Sequence, residues 1–246
     1  MNPEPADAAD SSPPSRIPDP ARDRPTPDPT EQIQQTEPEH AVSTPAAPAA
    51  PPEDAGPLHA AHTPNLPALL RHLGASLLVT TYQAGKLVMV RDDGDHLNTH
   101  YRAFKAPMGL ALTDGGDKLA IGTTSQVWVY RDNRDVAHRL EPAGRHDACF
   151  LPRSSHFTGN VLIHEMAYGA GGELWFVNTR FSCLATLDPE SSFTPRWRPP
   201  FVSELEPSDR CHLNGLAMVD GKPKYVTALG ETDTKAGWRA NKARGG

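Results

Sequence analysis

One local pattern recurs three times in this chain: a strand of small apolar residues, a glycine-containing turn and a second strand. It reads Met-Gly-Leu-Ala-Leu-Thr-Asp-Gly-Gly-Asp-Lys-Leu-Ala-Ile-Gly over 108–122, Glu-Met-Ala-Tyr-Gly-Ala-Gly-Gly-Glu-Leu-Trp-Phe-Val over 165–177 and Asn-Gly-Leu-Ala-Met-Val-Asp-Gly-Lys-Pro-Lys-Tyr-Val-Thr over 214–227. Aligned on Gly109, Glu165 and Gly215, successive copies are offset by 56 and then 50 residues. Repeats of this length fit propeller blades of four antiparallel strands with long loops, because a twisted blade buries its faces only against its neighbours. The expected fold class is all-β, a partial β-propeller.

The rest of the folded region agrees. Runs rich in Val, Leu, Tyr and Trp at 77–82, 86–90, 119–123, 126–130, 173–177 and 224–228 alternate with Gly and Asp turns and read as strands. Helical spacing is confined to Asn65–Gly74, where Leu66, Leu69, Leu70 and Leu73 recur and Gly74 suits the residue after a helix. The 182 residues after Pro64 supply three to four blades at about 50 residues each, short of the four to eight with which propellers close. The polar last segment lacks a closing strand, so a C-terminally truncated ring is expected.

Residues 1–64 are of another kind. They hold 16 prolines, no Phe, Tyr or Trp, and 11 acidic residues against three basic ones, a net charge of −8. Ordering a residue costs about 1–2 kcal/mol, and so few bulky apolar side chains cannot offset that. A disordered, Pro-rich acidic arm over 1–64 and a propeller-like domain over 65–246 are therefore expected, with Ser43–Pro52 favouring polyproline II. The domain carries 21 basic and 19 acidic residues, and the whole chain −6, which argues against nucleic acid as a partner. No apolar run approaches the roughly 18 residues of a membrane span, and the acidic, Pro-rich start lacks the basic and apolar regions of a secretory signal. Three widely spaced cysteines, Cys149, Cys183 and Cys211, suit reduced thiols rather than a disulfide framework. A cytoplasmic protein that engages no membrane is the expectation.

Polar residues gather where the innermost strand of each unit would begin. His146 and Asp147 precede Cys149; His164 and Glu165 precede Met166; His212 and Asn214 flank Leu213; Glu231 and Asp233 follow the strand ending near Leu229. In a propeller these loops surround one mouth of the central channel, and converging imidazoles and carboxylates make a metal site or an acid/base pair. His146, Asp147, His164, Arg180 and His212 are the candidate ligand-binding residues. Glu165, Asn214 and Asp233 are the candidate metal ligands, with Glu231 as catalytic base; Glu231 and Asp233 sit two apart and share a face on extended backbone. Each has a plainer alternative: alternation along a strand lets only one of His164 and Glu165 line the channel, Asn214-Gly215 is a common turn dipeptide, and Glu231 and Asp233 also suit an exposed acidic loop. No phosphate loop, nucleophile elbow, zinc-protease helix or dinucleotide fingerprint is present.

The strings Asn178-Thr-Arg-Phe-Ser-Cys-Leu-Ala-Thr-Leu-Asp188, Pro195-Arg-Trp-Arg-Pro-Pro-Phe201, Arg210-Cys-His-Leu-Asn-Gly-Leu-Ala-Met218 and Tyr225-Val-Thr-Ala-Leu-Gly-Glu-Thr-Asp233 resemble an uncharacterised bacterial family of conserved hypothetical proteins with a predicted propeller fold. The resemblance runs from about Ala75 to the last residue. It implies further strands beyond Trp238-Arg-Ala-Asn-Lys-Ala243, and His-Asp where this chain has His164-Glu165; it names no reaction. Asn214-Gly215 alone is similar to calcium-dependent lactonase-type propellers. Two functions follow as expectations: a module binding a small molecule or a protein at the propeller mouth, and, as the alternative, a metal-dependent hydrolase or lactonase-like enzyme using a divalent cation.

Overall fold

The computed structural model describes residues 61–243, so all but the last four residues of the expected arm lie outside it. Helix α1 (Leu66–Leu73) opens the described chain. Its periodic leucines bury Leu70 together with Pro67, and it stops where Gly74 turns left-handed (φ 59°) and donates its N–H back to Arg71 O. Arg71 holds the helix to the first sheet through both oxygens of Asp92, at 2.9 and 3.0 Å.

Thirteen strands follow among the described residues, all in antiparallel pairs. The first sheet is β1 (Leu77–Thr81), β2 (Lys86–Asp93) and β3 (His96–Ala103) in that order. The second is β4 (Leu110–Leu112), β5 (Lys118–Gly122), β6 (Gln126–Asp132) and β7 (Phe150–Phe157). The third is β8 (Ile163–Tyr168), β9 (Leu174–Asn178), β10 (Cys183–Thr186) and β11 (Thr194–Trp197). The fourth pairs β12 (Leu213–Val219) with β13 (Lys222–Ala228). The short helix α2 (Arg134–Ala137) lies in the loop between β6 and β7, capped by the Asn133 side chain on Val136 N.

Each sheet is a meander whose faces are buried against the sheets before and after it, and α1 packs on β2 and β3 of the first. Leu87 of the first sheet packs with Leu119 and Ile121 of the second. Ala111, Ala120 and Val127 of the second meet Ile163, Met166, Phe176 and Cys183 of the third. Val177 and Leu184 of the third meet Cys211 and Leu213 at the fourth. Three separate apolar layers between consecutive sheets are what radially stacked blades require. The first strands of successive sheets also touch, β8 packing on β4 and on β12. The fold is therefore a partial β-propeller.

The strand content of the sheets follows from the repeat. The first strands β4, β8 and β12 pack one on the next, whereas β1 makes no comparable packing on β4, so β1 corresponds to the second strands β5 and β9. The first sheet thus holds the second to fourth strands of a blade, the next two hold all four, and the last holds the first two. Glycine sets how closely blades approach. A Cβ on Gly109 would lie 2.8 Å from Met166 Cγ, and one on Gly122 would lie 2.8 Å from Ile163 Cγ2.

Three expectations need correction. Asn214-Gly215 is not a hairpin turn, since both residues lie inside β12. Glu231 and Asp233 do not share a strand face, because β13 ends at Ala228 and the chain beyond is loop. Polar β7 and Pro-containing β11 are strands that residue preference alone does not show.

Candidate functional site

The mouth of the partial ring is built by one backbone device used three times. The chain enters the inner strands β4, β8 and β12 through a residue with left-handed φ: Ala106 (46°), Leu162 (55°) and His212 (50°). These positions repeat with the same 56- and 50-residue steps as the sequence pattern. None is glycine, and holding such residues there costs of order 1–3 kcal/mol. In β8 and β12 a bulge follows. The register jumps from Ile163↔Asn178 to Met166↔Phe176, and from Leu213↔Ala228 to Leu216↔Val226, leaving one extra residue on the inner strand each time. Bulges re-aim side chains, and the residues in these two are His164-Glu165 and Asn214-Gly215.

The outcome is a direct contact between neighbouring blades. His164 Nδ1 lies 2.7 Å from Asn214 Oδ1. With that oxygen accepting, the proton sits on Nδ1 and the Nε2 lone pair is left bare. The ring of His212 meets that of His164 edge-on, centroids 4.8 Å apart at 85°. His212 is fixed in the same manner: its Nδ1 lies 2.9 and 3.1 Å from the two oxygens of Asp209. Asp209 also accepts from Trp238 Nε1 at 3.0 Å, and the Trp238 ring lies 4.3 Å from the His212 ring. Among the described residues neither imidazole Nε2 has a hydrogen-bond partner. Burial pushes the His164 pKa down, against an opposing pull from its bond to Asn214, so its neutral form is favoured.

The β9–β10 turn closes on this cluster. Thr179, wholly buried, donates from Oγ1 to Leu213 O at 2.6 Å, and Ser182 Oγ accepts from Arg210 N at 3.1 Å. Arg180 is tied by its backbone to both entering loops, donating to Val161 O at 3.1 Å and accepting from Asp209 N at 2.9 Å. Among the described residues its buried Nε has no hydrogen-bond partner, and neither has Nδ2 of the wholly buried Asn178.

Other expected site residues stand apart from the cluster. His146 is bonded to Glu141 O in the loop before β7, beside exposed Asp147. Glu165 bonds back to Met166 N, and burial raises its pKa. Asp233 accepts from Ser203 N and from Arg210 Nη1 at 2.9 and 2.6 Å, bonds that hold its pKa down at about 2. Arg210 also reaches Glu206 at 2.7 Å, so Asp233 belongs to an ion-pair network. Glu231 is exposed. The candidate ligands Glu165, Asn214 and Asp233 thus each have a different partner, and among the described residues no group of three His, Cys, Asp or Glu side chains is placed to hold a metal ion. Asp209 and Trp238 were not expected; the i, i+3 spacing of Asp209 and His212 was the available signal.

The family model described as "Domain of unknown function (DUF4915)" matches residues 64–246. The chain belongs to the DUF4915 family. No curated protein matches this DUF4915 chain. Two solved structures are similar to parts of it. A functionally unknown protein from Desulfotomaculum acetoxidans is 13% identical with a TM-score of 0.38, over 49% of this chain and 38% of that one. Virginiamycin B lyase from Staphylococcus aureus is 13% identical with a TM-score of 0.31, over 52% of this chain and 39% of the lyase. The DUF4915 chain spans about two fifths of the length of either, and neither likeness bears on its chemistry. Among the described residues no helix is long and apolar enough to cross a membrane.

Proposed function

We propose that this DUF4915 chain is a binding module whose mouth holds a small polar ligand, or a polar segment of a protein, against His164, His212 and Arg180. The observation that carries the reading is the imidazole pair. Two rings from neighbouring blades are anchored through Nδ1, one by Asn214 and one by Asp209, and both leave Nε2 unbonded. Anchored imidazoles are poised to accept hydrogen bonds in one fixed orientation, and the bulges and left-handed entries that bring them together cost stability. Arg180, whose buried Nε lacks a partner among the described residues, adds a donor suited to a carboxylate. The binding domain starts near residue 64, where the family match starts.

The test is saturation-transfer NMR of the full chain against a panel of small carboxylic and hydroxy acids. At least one compound gives a signal that His164→Ala and His212→Ala each abolish while the thermal midpoint stays within a few degrees. Signals that survive both substitutions defeat the reading. Signals that need added Ca²⁺ or Zn²⁺ transfer the site to the metal-assisted alternative.

A further inference from the structure

A second concavity lies between the first and second sheets, and its lining includes none of His164, His212 and Arg180. It is a cleft of about 500 Å³, in the range of small-molecule sites. Gln126, Trp128 and Tyr130 alternate along β6 and so line one wall from a single face, while buried Val127 points to the other side. Arg102, Phe104 and Lys105, at the end of β3 and just after it, line the opposite wall. Phe104 stands edge-on to both Trp128 and Tyr130, with centroids 6.3 and 6.4 Å apart. Lys105 is fixed by its carbonyl, which accepts from Thr124 N at 3.0 Å and Thr124 Oγ1 at 3.1 Å.

Thr123 donates its hydroxyl to Gln126 O, but the larger polar side chains of this cleft are unused. Among the described residues neither Arg102 nor Lys105 forms an ion pair, and the Trp128 indole N–H, Tyr130 hydroxyl and Gln126 amide have no hydrogen-bond partner. Burial raises the pKa of the Tyr130 phenol, against an opposing pull from the Arg102 charge. Two unpaired cations and two aromatic donors beside apolar ring surface match one ligand chemistry: a flat ring for the aromatic wall and an acidic group for the cations.

We propose that the cleft between the first and second sheets binds a small anion built on a planar ring, an aromatic or heteroaromatic carboxylate, with its acid group on Arg102 and Lys105 and its ring against Trp128. The site shares no residue with the proposed His164–His212–Arg180 site and does not depend on its assignment.

Calorimetric titration of the full chain with 1-naphthoate tests it, with uncharged 1-naphthalenemethanol as the matched probe. The acid binds measurably tighter than the alcohol. The Arg102→Gln/Lys105→Gln double variant weakens the acid by about tenfold, as loss of charge-assisted hydrogen bonds does, and leaves the alcohol unchanged. Both substituted residues are exposed, so the fold tolerates the change. Trp128→Leu weakens both probes, and His164→Ala weakens neither. Equal affinity for acid and alcohol, an unchanged double variant, or loss of naphthoate binding in His164→Ala overturns the proposal.

Discussion

At the scale of single residues, Asp233 and His164 respond to acid through opposite physics. Asp233 is held down at about 2 by the Ser203 N–H and the Arg210 guanidinium, whereas an unfolded aspartate titrates near about 3.9. A carboxylate with a lowered native pKa contributes stability above its unfolded pKa and loses it as pH falls towards the native one. Between about pH 4 and 2 the thermal midpoint of the natural chain therefore falls more steeply than that of Asp233→Asn, which starts lower at pH 7; parallel curves from calorimetry would show that the ion pair is not linked to folding. His164 is a base whose native pKa is lowered by burial. The unfolded chain takes up its proton first, so stability drops as pH passes below about 6.5. His164→Gln removes that part of the slope, which midpoints measured from pH 7.5 to 5.5 will show.

At the scale of elements, stability turns on how the inner strands are entered and how closely they pack. Ala106 occupies a left-handed conformation that glycine adopts freely. Ala106→Gly relieves about 1–2 kcal/mol of strain against about 0.5–1 kcal/mol of added backbone entropy, so it is neutral to slightly stabilising. Gly109 and Gly122 behave in the contrary way. A methyl group at either would press into Met166 or Ile163, and Gly109→Ala and Gly122→Ala each cost about 1–3 kcal/mol, read as a lower urea midpoint with unchanged slope. The contrast also marks what the sequence makes legible. The repeated Gly-Leu-Ala strands are visible because close packing selects small residues at fixed intervals. The left-handed entries at Ala106, Leu162 and His212 are not, since no glycine or asparagine marks them. Nor are the bulges, which depend on pairing with β9 and β13. Thus His164, His212 and Asn214 can be picked from the chain as polar residues at strand starts, but the contact between His164 and Asn214 cannot. His146 and Asp233 fit the same pattern and lie in other surroundings, because a loop of polar residues looks alike whether it faces a neighbouring blade or an arginine.

At the scale of the whole domain, the distribution of strands leaves two edges that a four-stranded blade would pair but that have no second neighbour among the described residues: β1, on its first-strand side, and β13, on its third-strand side. Both edges carry exposed apolar side chains, Leu77 and Val79 on β1 and Tyr225 on β13. Unpaired backbone N–H and C=O groups beside such side chains are templates for pairing with another chain, and natural sheets suppress this with inward or edge charges. Here no charge lies within β1. The purified chain accordingly self-associates with rising concentration, and sedimentation velocity detects it as a growing weight-average coefficient. Val79→Lys places a charge on the β1 edge and Tyr225→Lys one on β13; each reduces association without moving the far-ultraviolet circular dichroism, and the pair together reduces it further. A chain that stays monomeric over the whole concentration range, or whose association ignores both lysines, has these edges covered by something other than a second copy.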